Sequence, residues 1–417
     1  MLLPVFILTL SLCGCFVPRV VARPSPFNSS GSDPIAPKVM IISMWSPEGQ
    51  IWHDQLPSSG LGNLTSQSIH SPGFSMLFPR AFCTEDGSIC QLTLGEGEIN
   101  SAASLMALVL SPLFNLRETY FLHAGIAGVN PRCGTLGTVA LAKYAVQVAL
   151  QYEIDPRSLP TEWSTGYIAY GRNQPLEYPF ITYGTEVFEL NAKLQDIAYE
   201  KASKAILKDA EGPRAYRNLY KAMGEPYKMA SRPPSVIKCD TATSDVYYSG
   251  RRLSEAFENI TSVWTNGTGS YCMSAQEDNA TLEVLIRAAI EKLVDFERVI
   301  VLRSGSNFDR PPPGRTDLEH LTGTQQNGFY IAIDNMFLAG SMIIQSILED
   351  WDCTFRDGIP TDNYVGDIFG SLGGKPDFGF GSITNEKRVA PGGVNRDLAV
   401  REMNRRKQLS GEPLKKV

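Results

Sequence analysis

A glycine-rich segment at residues 121–137, FLHAGIAGVNPRCGTLG, contains the first candidates for ligand contact. It follows an apolar run and carries Gly125, Ile126, Ala127 and Gly128 in succession. Glycine lets a ring or a sugar lie against peptide groups, and it also permits a backbone with positive φ. The segment therefore predicts either one wall of a binding site beside a strand or a tight turn without a ligand.

A carboxylate, Glu48, follows the apolar segment 38–44 in the stretch IISMWSPEGQIW. Ligands of α/β proteins collect at the carboxyl ends of strands, so an acid in this place suits general base catalysis. The alternative is a solvated carboxylate in the turn after Pro47.

Other chemistries lack their motifs. The four histidines and the cysteines have no metal-type spacing, so no metal site is predicted. The sequence contains no G-x-S-x-G and no P-loop, which argues against a serine hydrolase or an NTPase. His123 is interpreted as a core histidine or as a ligand contact. Three aromatic residues could stack on a base or pack in the core, namely Trp45, Trp52 and Phe308.

The elements that must position these residues follow from hydrophobic periodicity. Runs typical of strands buried on both faces lie at 38–44, 119–125, 138–146, 235–240, 271–275 and 298–306. The first glycines are expected just beyond the end of a strand near residue 123, before a turn through Pro131 and Gly134. Helical spacing marks 101–111, 185–210, 277–296 and 330–351. The alternation predicts one α/β domain over 37–385, with helices flanking a central mixed sheet.

The remaining segments predict a leader, a linker, an excursion and a tail. Residues 1–22 contain LLPVFILTLSLCGCFV before a small-residue cleavage site, so we expect a secretory signal peptide, with a retained anchor as the alternative. A flexible linker is expected at 23–36. Residues 210–234 predict an excursion or lid, and 386–417 predict a basic tail.

The leader predicts a secreted or cell-surface chain that is not a multi-span membrane protein. Asn63, Asn259 and Asn266 lie in N-x-S/T sequons and are predicted to be glycosylated. Cys83 and Cys90 bracket a turn-rich loop that one disulfide can close. The other cysteines beyond the leader are interpreted as buried thiols or structural pairs.

Five motifs occur in an order that carries a resemblance. A glycine turn before a helix and a G-x-A-G pattern are similar to GEGEINSAAS (95–104) and to residues 125–128. TSDVYY (243–248) resembles a strand ending in S-G-D, and MSAQEDNAT (273–281) resembles a strand leading to a glutamate that opens a helix. RSGSN (303–307) resembles R-x-x-S-D. The chain thereby resembles the fungal purine nucleoside permease family over about residues 36–385, and through it the nucleoside phosphorylase and nucleosidase superfamily.

The resemblance implies a nucleoside phosphorylase-like sheet and roles for several residues. Glu277 would accept hydrogen bonds from the ribose 2′ and 3′ hydroxyls, with Asp278 as the alternative; otherwise Glu277 only favours its helix N-terminus. Ser306 and residues 125–128 would line the nucleoside.

Asn307 would face the purine near N7. The nucleosidase pattern has Asp at this position, and an amide can form hydrogen bonds but cannot deliver a proton. Asp309 is the alternative acid if the strand end is bulged, and a turn with an Asx cap is the other interpretation. Glu48 matches the glutamate that holds and deprotonates the attacking water in hydrolytic nucleosidases.

Charge limits the ligand. The formal net charge is −6 and the pI is near 5.5, which disfavours a nucleic acid partner and favours a neutral or modestly polar ligand. Phosphate as a cosubstrate is disfavoured, because Glu96 and Glu98 would each repel it by roughly 1–4 kcal/mol in a partly buried cleft. Basic side chains in 210–234 could reverse that preference, namely Arg214, Arg217 and Lys221. No other cofactor is predicted.

Three functions follow from these observations. The first is a purine nucleosidase that hydrolyses the N-glycosidic bond in support of uptake. The second is a non-catalytic nucleoside-binding component that serves a separate membrane transporter, and the third is a phosphate-dependent phosphorylase. A degenerate member with a non-functional pocket is a weaker alternative. The sequence allows a homo-oligomer and does not fix the oligomeric state.

Overall fold

A mixed β-sheet forms the centre of the protein. The structure is a computed structural model that describes residues 33–376. The predicted leader, the basic tail and all but the last residues of the linker therefore lie outside the described residues. Residues 34–376 belong to one compact unit.

Fifteen strands are present among the described residues. They are β1 Val39–Ser43, β2 Gln67–His70, β3 Arg80–Cys83, β4 Ile89–Thr93, β5 Tyr120–Val129, β6 Val139–Ala142, β7 Tyr144–Gln147, β8 Tyr152–Glu153, β9 Tyr167–Ile168, β10 Val187–Glu189, β11 Val236–Lys238, β12 Asp240–Thr243, β13 Tyr271–Ala275, β14 Val299–Phe308 and β15 Gly366–Asp367. The main path of the large sheet runs β15-β10-β7-β12-β13-β5-β1-β4-β3-β2, while β6, β11 and β14 branch from it. Strands β8 and β9 form a separate pair.

Helices cover both faces of the sheet. In the same part of the chain they are α1 Ser46–Gln55, α2 Glu98–Val109, α3 Ala192–Ala202, α4 Glu211–Arg217, α5 Arg251–Trp264, α6 Asp278–Ile290, α7 Asp317–Thr322 and α8 Phe329–Glu349. Apolar residues of α2 and α6 pack in one core cluster, and those of α3 and α8 pack in another. The predicted fold class, a mixed central sheet flanked by helices, is confirmed.

The long strand β5 changes partner along one edge. Its residues 120–123 pair with β1 in parallel, and Gly128 and Val129 pair with β13 in antiparallel register. Strand β14 pairs with β5 along the other edge. The change of partner opens a gap on the β1 side between residues 123 and 128, where backbone groups of β5 are available to side chains. Ligands of open sheets bind at such changes of strand order.

Several predicted elements need correction. The glycines at 125 and 128 are strand residues of β5 without positive φ, so the predicted end of the strand near residue 123 is wrong. The predicted helix over 185–210 is limited to α3, because Val187 and Phe188 pair with β7 and β15 as strand β10. The segment after β1 is helix α1, in which Pro47 and the first-turn acid Glu48 favour a helix start.

The predicted excursion at 210–234 is packed against the body of the protein. It contains α4 and two short 3-10 helices, and its Tyr216, Tyr220 and Tyr227 lie in a core cluster with Phe308. Its Arg214 and Arg217 pair with Asp209. This segment is therefore a structural layer.

Two disulfides are present in the described residues. Cys83 and Cys90 are register partners in β3 and β4 and form the first disulfide, while Cys239 and Cys272 form the second. The three sequon asparagines predicted to carry glycans are exposed, and their glycosylation stays a prediction.

Candidate functional site

A cavity of about 540 Å³ lies where β5 changes partner. Its walls come from the ends of β1, β13 and β14 and from residues 126–128 of β5. The volume is in the range of small-molecule sites. Its rim is formed by residues 244–249 and by the segment from α7 to the start of α8. The rim therefore replaces the predicted lid at 210–234.

Glu48 crosses the gap between β1 and β5. One carboxylate oxygen accepts the N–H of Met44 at 2.8 Å and that of Trp45 at 3.3 Å. The other oxygen accepts the N–H of Ile126 at 2.7 Å. Glu48 is 2% exposed and lines the cavity. It is therefore a fixed, buried carboxylate, and the alternative of a solvated turn residue is wrong.

Burial raises the pKa of Glu48 to about 7. The Arg303 guanidinium opposes this rise, and the Glu277 carboxylate adds to it. A carboxyl group with a pKa near neutrality can exchange a proton with a reacting water under physiological conditions. A perturbed pKa in a cleft is a marker of functional sites.

Arg303 holds two acidic residues at the start of α6. It donates to Asp278 at 3.1 Å through Nε and to Glu277 at 3.2 Å through Nη2. Glu277 also accepts the N–H of Gly97 at 3.1 Å. Burial raises the pKa of Glu277, and Arg303 opposes the rise. Glu277 lines the cavity, while Asp278 is fully buried behind it and is corrected from a substrate contact to a partner of Arg303.

The two glycines of β5 make room for side chains of the site. A methyl group on Gly125 would collide with Nη1 of Arg303 and lie 2.9 Å from the Glu48 carboxylate. A methyl group on Gly128 would collide with the Ser274 hydroxyl and lie 3.3 Å from the Asn307 amide nitrogen. Gly125 thus lies behind Arg303 and Glu48, whereas the next three residues line the cavity.

Asn307 and Ser306 lie on the cavity wall at a bulge in β14. The register between β14 and β5 shifts between Gly305 and Asn307. Ser306 donates to Oδ1 of Asn307 at 2.9 Å, and the Asn307 amide donates to the Phe308 carbonyl at 3.3 Å. One amide N–H of Asn307 stays available for a ligand.

Asp309 does not line the cavity although the strand end is bulged. Its carboxylate is buried against Arg310, at 2.7 Å from Nε, and accepts the hydroxyl of Tyr271 at 2.7 Å. The interpretation of Asp309 as an alternative catalytic acid is corrected accordingly.

The histidine and aromatic candidates divide between cavity and core. His123 is fully buried beside Thr281, and burial lowers its pKa to about 4, so it is a neutral core residue. Trp52 packs in the core with Phe337, whereas Trp45 and Phe308 line the cavity. His320, on the rim, contacts the Tyr216 hydroxyl and the Phe308 carbonyl.

Arg303 is the cavity residue whose role the sequence patterns do not reveal. It lies within the RSGSN motif, yet its spacing gives no indication of its partners. The available signal was an arginine inside a strand buried on both faces, because such a charge is rarely buried without an acidic partner.

The charge of the cavity is mainly acidic. Glu48, Glu96 and Glu277 line it, and Arg303 is already paired with two carboxylates. Nearby, burial and Asp245 raise the pKa of Glu98 to about 7. In the part of the chain that the structure describes, no group of three or more histidine, cysteine or acidic residues could hold a metal ion.

Similarity to known proteins was found with a family model and with named relatives. A family model described as purine nucleoside permease (NUP) matches residues 36–360. A purine nucleoside permease of Candida albicans is 45% identical over 349 residues, which cover 82% of this chain and 83% of the relative. A probable purine nucleoside permease of Schizosaccharomyces pombe is 40% identical over 323 residues, which cover 76% of this chain and 90% of the relative.

Two solved structures show more distant similarity. A 5′-methylthioadenosine/S-adenosylhomocysteine nucleosidase of Neisseria meningitidis has a TM-score of 0.43 and 12% identity, covering 75% of this chain and 99% of that chain. A futalosine hydrolase of Helicobacter pylori has a TM-score of 0.43 and 13% identity, covering 75% of this chain and 98% of that chain.

The predicted secreted or cell-surface location is wrong. The relatives are named permeases, a name given to membrane transporters. Among the described residues, α8 is long and apolar enough to cross a bilayer, although 67% of its most apolar stretch is buried inside the protein. The expectation came from the apolar composition of residues 1–22, and targeting segments share that composition with membrane segments.

Proposed function

The chain belongs to the purine nucleoside permease family, and from this premise we propose that its cavity binds purine nucleosides in support of uptake and hydrolyses their N-glycosidic bond. The observation that carries the proposal is the convergence of Glu48, Glu277 and Asn307 on one cavity. The three residues come from α1, the start of α6 and β14, so the folded sheet is needed to bring them together.

Glu277 is the proposed ribose ligand. Each of its oxygens already accepts one protein donor, from Gly97 or from Arg303, and each keeps a second lone pair. Two carboxylate oxygens match the vicinal 2′ and 3′ hydroxyls of ribose. The pairing with Arg303 favours the charged form of the carboxylate and holds it in place, so little side-chain freedom is lost on binding.

Glu48 is the proposed general base. A water molecule beside its carboxylate would attack C1′ of the ribose and transfer one proton to Glu48. The bond between C1′ and N9 breaks, and its electron pair leaves with the purine. Asn307 donates a hydrogen bond to the ring and stabilises the charge, while the proton that neutralises the base comes from solvent.

Phosphorolysis is disfavoured by the same geometry. Bound phosphate needs clustered basic or backbone donors, but among the residues that the structure describes one arginine lines the cavity, and it is paired with Glu277 and Asp278. Arg214 and Arg217, which could have reversed the preference, pair with Asp209. An anion would therefore meet unbalanced carboxylates.

Binding without cleavage is the second candidate. It is favoured by Asn307, because an amide cannot protonate the leaving base, and by the three backbone donors that already engage Glu48. In this alternative the cavity captures a nucleoside for a separate membrane transporter.

Chromatography of products from inosine, adenosine and guanosine, with and without phosphate, separates these functions. Hydrolysis predicts free base and ribose without phosphate. Release that requires phosphate would instead show phosphorolysis, and saturable binding without release would leave the binding function. Absence of both binding and release would overturn the whole proposal.

A further inference from the structure

A line of buried hydrogen bonds runs from the cavity wall into the interior. Tyr248, which lines the cavity, lies with its hydroxyl oxygen 3.0 Å from that of Tyr271. Tyr271 in turn donates to Asp309 at 2.7 Å. All three residues are buried, with exposed fractions of 7%, 2% and 1% along the line.

The buried end of this line fixes the direction of its hydrogen bonds. Asp309 accepts from Arg310 at 2.7 Å and 3.0 Å, and the Arg310 side chain is fully buried. Both Asp309 oxygens accept from Arg310, and the Tyr271 hydroxyl donates to one of them, so the Tyr271 proton points at Asp309. The Tyr271 oxygen then accepts the proton of Tyr248.

The side of the cavity that Tyr248 lines therefore presents a hydrogen-bond acceptor to a ligand. The only hydroxyl proton of Tyr248 is used inside the protein, so its oxygen offers lone pairs alone. Ser274 lies beside it on the wall, within hydrogen-bonding reach of the Tyr248 hydroxyl and 3.4 Å from the Gly128 carbonyl oxygen. When Ser274 donates to either partner, it too presents only lone pairs to the cavity, and its proton is free to rotate, so Tyr248 is the acceptor whose direction is fixed.

The position of Ser274 indicates which part of a nucleoside this wall meets. Ser274 and Asn307 both lie against Gly128, where a methyl group would contact both side chains. Asn307 is the proposed purine contact, whereas Glu277 is the proposed ribose contact. The side of the cavity formed by Tyr248 and Ser274 therefore borders the base.

We infer that Tyr248 is a specificity-determining residue that selects purines presenting an N–H donor to this wall, and that Tyr271 and Asp309 are positioning residues that hold it as an acceptor. The inference rests on the proposed binding of nucleosides. The donor chemistry is shared by the amino group at C6 of adenosine and by the N1–H of inosine. A base with neither group would leave the buried acceptors without a partner, which costs affinity.

Titration calorimetry of the full chain with matched nucleosides tests the inference. Adenosine is compared with purine riboside, which lacks the amino group, and inosine with 1-methylinosine, which lacks the N–H. We expect wild type to bind the donor-bearing nucleoside at least about tenfold more tightly in one pair. Tyr248→Phe keeps the ring packed on Phe257 and is expected to bring that ratio within about twofold of one.

Tyr271→Phe supplies a readout that structural damage would not produce. It frees the Tyr248 proton to turn toward the cavity, so purine riboside, whose ring nitrogens are acceptors, should bind more tightly than it does to wild type. Tyr199→Phe removes a hydroxyl on α3, outside the cavity lining, and serves as the control with an unchanged ratio.

Two results would overturn the inference alone. These are nucleoside binding by wild type without discrimination in either pair, and discrimination that persists unchanged in Tyr248→Phe. Absence of nucleoside binding by wild type would overturn the proposed function first, and this inference with it.

Discussion

Two buried glutamates, Glu48 and Glu186, look alike in isolation and differ in their surroundings. They are 2% and 1% exposed, both accept backbone N–H groups, and burial raises the pKa of each to about 7. Glu48 lies at the cavity beside Arg303 and Glu277, whereas the groups that act on Glu186 are the backbone N–H groups of residues 183–186.

The comparison shows that a raised pKa alone does not identify a catalytic carboxylate. Both shifts arise mainly from burial, and only Glu48 shares its cavity with a candidate ribose ligand and a candidate base contact. We therefore expect substitution of Glu48, and not of Glu186, to lower activity, because Glu48 lies with other candidate ligand-binding side chains. We expect both glutamates to affect the pH dependence of stability, because the pKa of each is raised.

The largest difference is expected from neutralising each carboxylate in turn. Glu48→Gln should lower the rate of nucleoside cleavage at least about 100-fold, because an amide cannot accept the proton of water. Glu186→Gln should leave the rate per folded molecule within about twofold. Release of free base, measured by chromatography on samples whose folding is checked by thermal melting, gives both values. Equal losses of cleavage rate in the two variants would contradict a functional difference between the two glutamates.

A methyl group added beside each glutamate should affect cleavage at Glu48 and stability at Glu186. Gly125→Ala pushes against Arg303 and Glu48 and should lower cleavage by about 10–100-fold through misplacement of both groups. Gly184 has a φ of +103°, and a methyl group on it would lie 2.5 Å from the Phe369 ring. Gly184→Ala should therefore lower the free energy of unfolding by about 1–3 kcal/mol.

Cleavage rates and urea denaturation of both glycine variants separate these effects. The account would be contradicted if Gly125→Ala kept full activity, since the crowding of Arg303 and Glu48 would then have no functional consequence.

The pH dependence of cleavage should follow Glu48 alone. Its pKa of about 7 predicts that the rate falls about tenfold per pH unit below neutrality, because the protonated acid is no base. Glu186→Gln should show the same profile. A rate independent of pH between 5 and 8 would show that Glu48 does not act as the base.

The smallest expected effect is on stability, where both glutamates should contribute. A folded-state pKa raised from 4.5 to about 7 means that the folded state binds more protons than the unfolded state between these values. The contribution is therefore complete below about pH 4.5 and is lost as the pH rises through 7. Glu186→Gln should reduce the loss of stability between pH 5 and pH 8 by roughly 1–3 kcal/mol, measured by denaturation at each pH.

Local patterns in the sequence predicted the parts of the fold that depend on local periodicity. Strand β13 lies at the predicted residues, β1 and α8 lie within one or two residues of them, and α6 begins one residue after the predicted start and ends six residues before the predicted end. The helix predicted over 185–210 failed because Val187 and Phe188 are recruited by pairing with distant strands. Sheet pairing of this kind overrides helical spacing, and no short window contains it.

The candidate site shows the same limit. The residues predicted from the ordered motifs and from the end of the first strand, namely Glu48, Ile126, Ala127, Gly128, Glu277, Ser306 and Asn307, lie around one cavity. Sequence reasoning did not place Asp278, Asp309 or the rim segment correctly, because their positions depend on Arg303, Arg310 and the packing of α7. A side chain one residue along a strand points to the opposite face, so a small error of register moves it out of the cavity.

The most direct measurement is a crystal structure of Glu48→Gln with inosine bound, since this variant should bind without cleaving. The account predicts ribose hydroxyls on Glu277, the purine beside Asn307, and C1′ facing residue 48 across the position of the attacking water. A nucleoside bound elsewhere on the protein, or in this cavity with its ribose away from Glu277, would contradict it.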